Sequence, residues 1–545
     1  MKAFLLSFIR RIEASPLTLV SFTISFLALI LARLTVESAL GFFTERTFFF
    51  LFFELTHTLL FFLCSFLIII PIVRYAGADN LKQACNVLLF GFLIILTPPI
   101  IDTYIFRDST FWSFYEFDGL NGLIIRFFTL FGDTPDIGIT YGVRIEVVFV
   151  TLALSLYAIL KTKKMTRALA VAFLTYLALF ILGTFPSWVT LFTLSFEKGL
   201  MAIRDTDVAA LFLTPKQVLG RDLSDFRSVL NFKMSLVYGL LSSFLVSLYL
   251  WKHLPRHLRA LAYNARVPQL CYHAGLLFLG MILSVIFSNG HIRFELFDIL
   301  GISLLLIAVE CAWIASVIAN DLYDTVIDSV TNPHRPLIEA TIPPETYRWY
   351  GFFFFGASLL LAGIISFGAL LLLLAYQALA WLYSAPPLRL KQYPGLATLI
   401  AACAGILILV TGFVSVGLTR DITALPLPLL TYLFFAYFLA IPIKDFKDIA
   451  GDKKDGVHTI PVLLGESFGK HVIGSCLFLL FAGSPLVLHA PSLFLPALFF
   501  GSLAFLALEK GTAQEVDFFA YRKLPGIILG ITTLYGLCIS LVLLG

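Results

Sequence analysis

Charged residues are scarce in this sequence. Asp, Glu, Lys and Arg together make up 13% of the 545 residues, and 59% of the residues are hydrophobic. Soluble proteins carry about 25% charged residues and are about half apolar. The balance excludes an ordinary water-soluble domain and predicts an integral membrane protein. The net charge of +4 is small, and no stretch forms the basic patch of a nucleic-acid-binding surface, so we expect no nucleic-acid partner.

Cysteine is also sparse, and its spacing suits neither a zinc site nor a disulfide framework. The seven cysteines lie mostly inside apolar runs, and no two of them form a C-x-x-C pair. Near the N-terminus, Lys2, Arg10 and Arg11 precede the first long apolar run, and no clear cleavage site follows it. We therefore interpret that run as a retained helix rather than a removed signal peptide.

Long apolar runs recur along nearly the whole chain. A membrane-spanning helix needs about 20 mostly apolar residues, and a window scan predicts about six such helices in the first half and about nine in the second. The fold class is therefore all-α, a polytopic transmembrane helical protein. The predicted helices lie near residues 17–36, 48–73, 86–106, 145–160, 168–195, 231–251, 270–288, 297–319, 350–365, 367–384, 396–418, 425–443, 470–489, 493–508 and 524–544.

Two features of these runs need comment. The runs 48–73 and 168–195 are long enough to tilt or break, and Ser366-Phe367-Gly368 predicts a hairpin between two of the later helices. Within the second predicted helix, Glu54, His57 and Thr58 share one face. Ionisable groups inside a membrane are costly and often functional, so these three are either a structural polar contact or a functional site.

Acidic residues cluster after two apolar runs. The first cluster is Asn320, Asp321, Asp324 and Asp328, which follows the run 302–319. On a helix, residues three, four and seven apart lie roughly on one face. The sequence therefore predicts one acidic face at the mouth of an apolar helix.

The second cluster repeats this arrangement about 120 residues later. It consists of Asp445, Asp448 and Asp452, again spaced i, i+3, i+7, and it follows the apolar run 427–443. Because about four predicted helices separate the clusters, both are expected on the same side of the membrane. The positive-inside rule puts that side in the cytoplasm, since the basic loops 74–82, 161–167 and 252–266 then also lie inside.

Crowded carboxylates repel one another unless positive charge lies between them. Mg²⁺ takes oxygen ligands, keeps several waters and usually binds one or two carboxylates together with substrate phosphates. One such motif alone is more often a solvated loop, but two of them, each flanked by Lys or Arg, favour a two-sided metal clamp for a diphosphate. Candidates to donate hydrogen bonds to that diphosphate are His334, Arg335 and Lys444 beside the two clusters, and the family resemblance described below adds Tyr383, Ser384, Arg389 and Lys391.

These motifs resemble those of the UbiA superfamily of intramembrane prenyltransferases. The first cluster matches the N-D-x-x-D-x-x-x-D pattern of that family and the second matches its D-x-x-D-x-x-x-D pattern. The stretch 382–391, Leu-Tyr-Ser-Ala-Pro-Pro-Leu-Arg-Leu-Lys, also looks like the family. The resemblance covers about residues 260–545. We therefore divide the chain into an N-terminal transmembrane region of unknown function, 1–255, and a UbiA-like domain, 256–545.

The resemblance implies a bundle of nine helices around a cavity, with the acidic motifs at its cytoplasmic mouth. The metal ligands for Mg²⁺ would be Asn320, Asp321, Asp324, Asp328, Asp445, Asp448 and Asp452, of which Asp324 and Asp448 are our catalytic candidates. Tyr383, Arg389 and Lys391 would contact the diphosphate. The implied reaction is transfer of a prenyl group from a prenyl diphosphate to a lipophilic or aromatic acceptor, among membrane lipids, with release of pyrophosphate.

The chain departs from the family pattern at one loop. Many relatives continue the first motif through Arg-Pro-Leu into Pro-Ser-Gly, whereas here Arg335-Pro336-Leu337 continues as Ile338-Glu339-Ala340. This difference affects the expected shape of the loop or the choice of acceptor, but none of the metal ligands.

Other functions remain as alternatives. A terpene cyclase or a prenyl diphosphatase would use the same metal clamp without an external acceptor. A transporter would place its acidic residues near the bilayer midplane rather than at helix ends. A non-catalytic membrane scaffold would not need two complete acidic motifs.

Overall fold

The computed structural model describes most of the chain. The described residues are 2–41, 47–105, 115–132, 138–214, 217–223, 225–287, 295–325, 328–329, 332, 334–393, 395–417, 421–449, 453, 459–514 and 516–544, without the side chains of residues 2, 49, 105, 448, 543 and 544. The chain folds into two compact units, Met1–Val218 with Asp222–Tyr249, and Leu219–Arg221 with Leu250–Gly545. The predicted functional boundary at residue 255 stays a prediction, because this division rests on packing alone.

The helices of the N-terminal unit alternate between long apolar segments and short connecting ones. A short 3-10 helix, Phe92–Leu96, joins α4 to α5, and β1 and β2 are strands of two residues each. The elements are Lys2–Glu13 (α1), Leu19–Ala39 (α2), Phe48–Ala76 (α3), Leu81–Gly91 (α4), Thr97–Ile105 (α5), Leu120–Phe128 (α6), Tyr141–Thr162 (α7), Met165–Gly183 (α8), Phe185–Lys198 (α9), Asp205–Leu213 (α10), Gln217–Val218 (β1), Arg221–Asp222 (β2) and Phe226–His253 (α11).

The C-terminal unit is helical as well. Its helices are Pro255–Asn264 (α12), Val267–Phe287 (α13), Leu296–Tyr323 (α14), Pro344–Ile365 (α15), Phe367–Ser384 (α16), Leu396–Ser415 (α17), Leu427–Ala440 (α18), Ile460–Leu464 (α19), Glu466–Val487 (α20), Phe494–Glu509 (α21) and Leu524–Leu544 (α22). Over the residues described, fifteen helical segments are long and apolar enough to cross a membrane, six before residue 254 and nine after it. This confirms the all-α transmembrane class and the six-plus-nine arrangement.

Two predicted helix breaks appear at identifiable residues. The long run 168–195 divides at Thr184, between α8 and α9, where Pro186 occupies the first turn of the new helix. The predicted hairpin is confirmed at Ser366, whose extended backbone ends α15 and whose hydroxyl accepts a hydrogen bond from the Ala369 amide. A serine in this position satisfies one of the amide groups that lack a partner in the first turn of a helix.

The end of α18 differs from the prediction. The helix stops at Ala440, and residues Ile441–Asp448 continue as a 3-10 helix. Pro442 explains the change, because proline has no amide hydrogen and its ring clashes with the carbonyl four residues earlier. The segment that carries Asp445 is therefore not α-helical, and the α-helical face predicted for the second motif is wrong there.

The polar face of α3 has partners within the N-terminal unit. Arg227 pairs with the Glu54 carboxylate, and Asn231 donates a hydrogen bond to the same oxygen over 2.8 Å. Nε2 of His57 lies 2.6 Å from the Tyr115 hydroxyl. Glu54, His57 and Thr58 are buried, as expected for a shared inward face. These contacts give Glu54 and His57 polar partners within the N-terminal unit, and whether the three residues also have a functional role stays a prediction.

Helices α13 and α17 cross with their backbones in contact. A Cβ atom at Gly280 would lie 1.9 Å from the Leu409 carbonyl oxygen, and one at Gly412 would lie 2.1 Å from the Leu277 carbonyl oxygen. Small residues permit such close crossings between membrane helices, where van der Waals packing replaces much of the hydrophobic drive. The pair therefore determines how closely two helices of the C-terminal unit approach.

Gly280→Ala is expected to destabilise this crossing by about 1–3 kcal/mol, because the added methyl group forces the backbones apart. Thermal unfolding of the detergent-solubilised protein, followed by size-exclusion recovery, measures the loss. Gly275→Ala on the same helix is the control, since a Cβ there meets no atom within 4 Å. Equal stability of the two variants would contradict the close crossing.

Candidate functional site

The first acidic motif lies where α14 ends. Asn320 and Asp321 occupy the last turn of the helix, and Asp324 caps it with φ −105° and ψ 13°. The Asp328 amide donates to the Asp324 carbonyl over 2.8 Å. The motif therefore follows the helix end rather than lying on one regular helical face as predicted. This position brings its side chains to the boundary of the apolar bundle.

Asp321 is surrounded by donors from the protein itself. Asn264 Nδ2 donates to Oδ2 of Asp321 over 2.6 Å, and the Tyr347 hydroxyl donates to the same oxygen over 2.8 Å. Nη1 of Arg335 donates to Oδ1 over 2.6 Å, and Arg266 lies 3.8 Å from that oxygen. With 2% of its surface exposed, Asp321 has both carboxylate oxygens occupied. This geometry suits a residue that holds Arg335 in place.

Arg335 also joins Asp321 to Asp328. Its guanidinium forms an ion pair with the Asp328 carboxylate, which additionally accepts a hydrogen bond from Asn332 over 3.2 Å. Burial raises the pKa of Asp328 to about 6, although the charge of Arg335 acts in the opposite direction. At neutral pH the carboxylate is still mainly ionised. Asp328 can therefore act as an anionic oxygen ligand.

The basic residues of the stretch 382–391 meet the same motif. Lys391 forms an ion pair with Asp324 and donates to Oδ1 of Asn320 over 3.2 Å, while Ser384 donates to that amide oxygen over 3.1 Å. Arg389 donates to Asp324 over 2.9 Å. Two predicted clusters that are about 60 residues apart in the sequence are therefore one site in the fold.

The backbone at Arg389 is unusual. Its φ of 40° lies in the left-handed region, which non-glycine residues rarely adopt and which is often found at functional sites. This turn directs the guanidinium toward Asp324. Burial lowers the pKa of Lys391, while the neighbouring Asp324 raises it. The three carboxylates of the first motif are thus balanced by Arg335, Arg389 and Lys391.

Some donors in this cluster have no acceptor among the described residues. Nε of Arg389 and Nη2 of Arg266 are buried without a hydrogen-bond partner. Burial lowers the pKa of Arg266, and the positive charge of Arg335 adds to that effect. A buried donor without an acceptor costs about 1–3 kcal/mol. An anionic ligand with several oxygens would satisfy both groups.

The other predicted residues lie as follows. Tyr383 is half-buried beside Ser384, and His334 is largely exposed with Nδ1 2.8 Å from the Glu339 carboxylate. Lys444 is exposed and Asp445 is half-buried on the 3-10 helix after α18. The Asp448 side chain and the whole of Asp452 lie outside the described residues. The roles of all these residues stay predictions.

The donor set of the first motif suits a hard divalent cation. Asn320, Asp324 and Asp328 offer amide and carboxylate oxygens, which are ligands that Mg²⁺ takes. In the part of the chain that is described, no three His, Cys, Asp or Glu side chains are grouped closely enough to hold a metal ion. At this site Lys391, Arg389 and Arg335 form ion pairs with the carboxylates. For a cation to bind the same carboxylate oxygens, these basic groups would have to turn to another anion.

Three residues that shape this site carry no recognisable signal in the sequence. Arg266 is only one of several basic residues in its loop, and neither Asn264 nor Tyr347 belongs to a recognised motif. Both of the latter donate to Asp321 from helices that are distant in sequence, α12 and α15. A side chain whose role depends on a contact 26 or 57 residues away leaves no local pattern.

The apolar spanning helices define an integral membrane protein, in which acidic and basic side chains cluster at the end of α14. Residues 275–519 match the UbiA prenyltransferase family, which confirms the resemblance for this part of the chain.

Three known proteins illustrate the similarity. A digeranylgeranylglyceryl phosphate synthase of Thermococcus sibiricus is 31% identical over 30% of this chain and 57% of its own length. A chloroplastic chlorophyll synthase of Avena sativa is 33% identical over 28% of this chain and 42% of its own length. The solved structure of a UbiA homolog from Archaeoglobus fulgidus bound to GPP and Mg²⁺ is 22% identical, with a TM-score of 0.39, over 50% of this chain and 99% of that one. The chain thus spans about half the length of the two enzymes.

Tyr347→Phe is expected to lower the free energy of unfolding by about 1–3 kcal/mol, because it removes a donor from the buried Asp321 carboxylate. Chemical or thermal unfolding in detergent measures the change. Tyr350→Phe on the same helix is the matched control, since its hydroxyl meets His257 in a half-buried position. An equal effect of the two variants would show that the Asp321 contact contributes little.

Ala340→Gly is expected to stabilise the protein by up to about 1 kcal/mol. Ala340 has φ 52°, a left-handed conformation that glycine adopts without steric cost, and it stands where the family pattern has glycine. The loop therefore keeps a glycine-type turn despite the substitution. The measurement compares the melting temperatures of Ala340→Gly and Ala362→Gly. The second variant removes a buried methyl group within α15 and should destabilise the protein. Destabilisation by Ala340→Gly would contradict this account.

Proposed function

We propose that the C-terminal domain transfers a prenyl group from a prenyl diphosphate to a lipophilic acceptor in the membrane. The observation that carries this proposal is the buried cluster in which three carboxylates face three cations and two guanidinium N–H groups lack acceptors. Such a cluster can accept a metal ion and a diphosphate together with little change in net charge. The names of the two related enzymes support a lipid-type acceptor.

Two sets of residues would hold Mg²⁺. The first would be Asn320, Asp324 and Asp328, and the second Asp445, Asp448 and Asp452. When bound, Mg²⁺ supplies Lewis-acid neutralisation of the charge that develops on the leaving pyrophosphate. The saturated environment of Asp321 makes it the least suited of the predicted ligands, and we assign it to positioning Arg335.

The basic residues would then change partners. Lys391 and Arg389, which neutralise Asp324 in the structure, would turn their N–H groups to phosphate oxygens. Charge-assisted hydrogen bonds of this kind are about twice as strong as neutral ones. Arg266 has one uncommitted donor for the same purpose. The diphosphate is therefore held at the helix ends while its prenyl tail extends among apolar helices.

The reaction itself needs little from the protein beyond positioning and charge. The bond between C1 of the prenyl group and the diphosphate oxygen breaks, and pyrophosphate takes the electron pair. A nucleophilic atom of the acceptor forms the new bond to C1 and loses a proton. An aspartate of either motif that is not engaged by metal is the proposed acceptor of that proton. We place these steps at the cytoplasmic side, following the distribution of basic loops.

Asp324→Asn is expected to lower prenyl transfer by at least about 100-fold, because it removes the carboxylate shared by Lys391, Arg389 and the proposed metal. The assay uses the full chain in nanodiscs with Mg²⁺, radiolabelled geranylgeranyl diphosphate and a membrane lipid extract, and follows both pyrophosphate release and label transfer. Asp421→Asn is the matched control, since that residue caps a loop turn and is fully exposed.

The outcomes separate the competing functions. Transfer of label into a lipid, lost in Asp324→Asn and kept in Asp421→Asn, supports the transferase. Release of pyrophosphate without transfer points to a cyclase or a diphosphatase. Absence of both reactions in a folded sample, across several prenyl chain lengths, would overturn the proposal.

A further inference from the structure

The N-terminal unit contains an apolar cavity among helices α2, α3, α4, α7 and α8. Its volume is about 170 Å³, and its walls are mainly Phe, Ile, Leu and Val side chains. An engineered apolar cavity of about 150 Å³ binds benzene or xenon. The space is therefore large enough for part of a hydrocarbon chain.

The cavity opens toward the side of the helices. Gly91 of α4 and Phe149 and Ala153 of α7 line it and are exposed, Phe149 by 55%. Both helices belong to membrane-spanning segments, so this opening faces lipid rather than water. Along α3, the lining runs from Thr58 to Ile69, which is about 16 Å at 1.5 Å per residue. A chain from the bilayer can enter sideways and lie along α3.

One end of this cavity is polar. The Thr58 hydroxyl is buried, with 3% of the residue exposed, and has no hydrogen-bond partner in the described structure. Glu146 also lines the cavity, and its Oε2 lies 3.9 Å from Nη1 of Arg33, beyond hydrogen-bonding distance. The Arg33 guanidinium rests over the Phe62 ring, one helical turn from Thr58. The cavity lining therefore includes a hydroxyl without a hydrogen-bond partner and a carboxylate with only a distant cation.

The charges at this end select the kind of ligand. Arg33 is already engaged, since its Nε donates to Glu37 over 3.0 Å and its Nη1 donates to the Ile95 carbonyl over 3.2 Å. Two carboxylates therefore accompany one guanidinium, and an anionic headgroup would meet net repulsion. A hydroxyl can accept a hydrogen bond from Thr58 or donate one to a carboxylate such as Glu146. A neutral alcohol suits either group without bringing another charge into the membrane.

We propose that this cavity binds a neutral lipid through one hydrocarbon chain, with a hydroxyl headgroup that hydrogen-bonds to Thr58. The chain lies against Phe62, Phe66 and Ile69, and the headgroup satisfies the unpartnered Thr58 hydroxyl. This site is separate from the acidic cluster of the C-terminal domain and does not depend on the transferase proposal.

Photo-crosslinking tests the site. The full chain in phosphatidylcholine nanodiscs is labelled with a diazirine-bearing sixteen-carbon alcohol, and the crosslinked peptides are mapped by mass spectrometry. Labelling is expected within 58–69 and 143–154 and should fall at least fivefold in Val150→Phe, which fills the cavity. Leu156→Phe is the matched control, because Leu156 faces outward on the same helix and does not line the cavity. If Val150→Phe fails to fold, Ala153→Phe at the rim replaces it.

Competition identifies the headgroup. Excess unlabelled alcohol should abolish the labelling, while the carboxylic acid of the same chain length should not. Glu146→Gln should reduce the discrimination against the acid, since it removes one of the two carboxylates. Equal competition by the alcohol and the acid in the wild-type protein, or labelling that Val150→Phe leaves unchanged, would refute the proposal.

Discussion

The C-terminal domain depends on neutralising carboxylates that are buried at the end of an apolar helix. An ionised carboxylate removed from water without a partner is so costly that it would take up a proton instead. In this chain the partners are Arg335 for Asp321 and Asp328, and Lys391 with Arg389 for Asp324. Because these cations come from two segments beyond α14, the charge requirement joins the end of α14, the loop after it and the turn after α16.

The aspartates differ in how easily this pairing can be exchanged. Asp321 is fixed by Asn264 and Tyr347 as well as by Arg335, so releasing it would leave several donors without acceptors. Asp324 is held by Arg389 and Lys391. Both cationic groups stand at the ends of long, flexible side chains and can turn to another anion. The same buried cluster can therefore combine a rigid anchor with an exchangeable ligand, which is the property that a site for a metal ion and a diphosphate needs.

The N-terminal unit also neutralises most of its buried charged side chains by pairing them with one another. Arg227 with Glu54, and Arg33 with Glu37, are internal pairs that let polar residues remain inside spanning helices. Glu146 is the partial exception, since Arg33 is more distant from it and is committed elsewhere. That incomplete pairing lies next to an apolar cavity, which is why it suggests a ligand rather than a purely structural contact.

Composition and spacing along the chain were enough to establish the membrane class, the number of spanning helices and the three motifs. Each of these depends on a local pattern, such as about 20 apolar residues in a row or aspartates at helical intervals. The α16 bounds, for example, agree with the prediction at both ends. The helix breaks were harder to predict than the helices themselves. Ser366 was recognisable as a turn signal, whereas the change to a 3-10 helix at Pro442 was not predicted and altered the geometry expected for the second motif.

The partner of each aspartate, in contrast, depends on tertiary packing. That Asp321 meets Asn264 and Tyr347, while Asp324 meets Arg389 and Lys391, follows from how α12, α15 and the turn after α16 pack around the end of α14. The cavity of the N-terminal unit likewise depends on packing, since its lining comes from five α-helices, a 3-10 helix and connecting residues with no shared sequence signal. Spacing along the chain specifies which side chains share a turn of helix, but contacts between distant segments arise only when the helices pack.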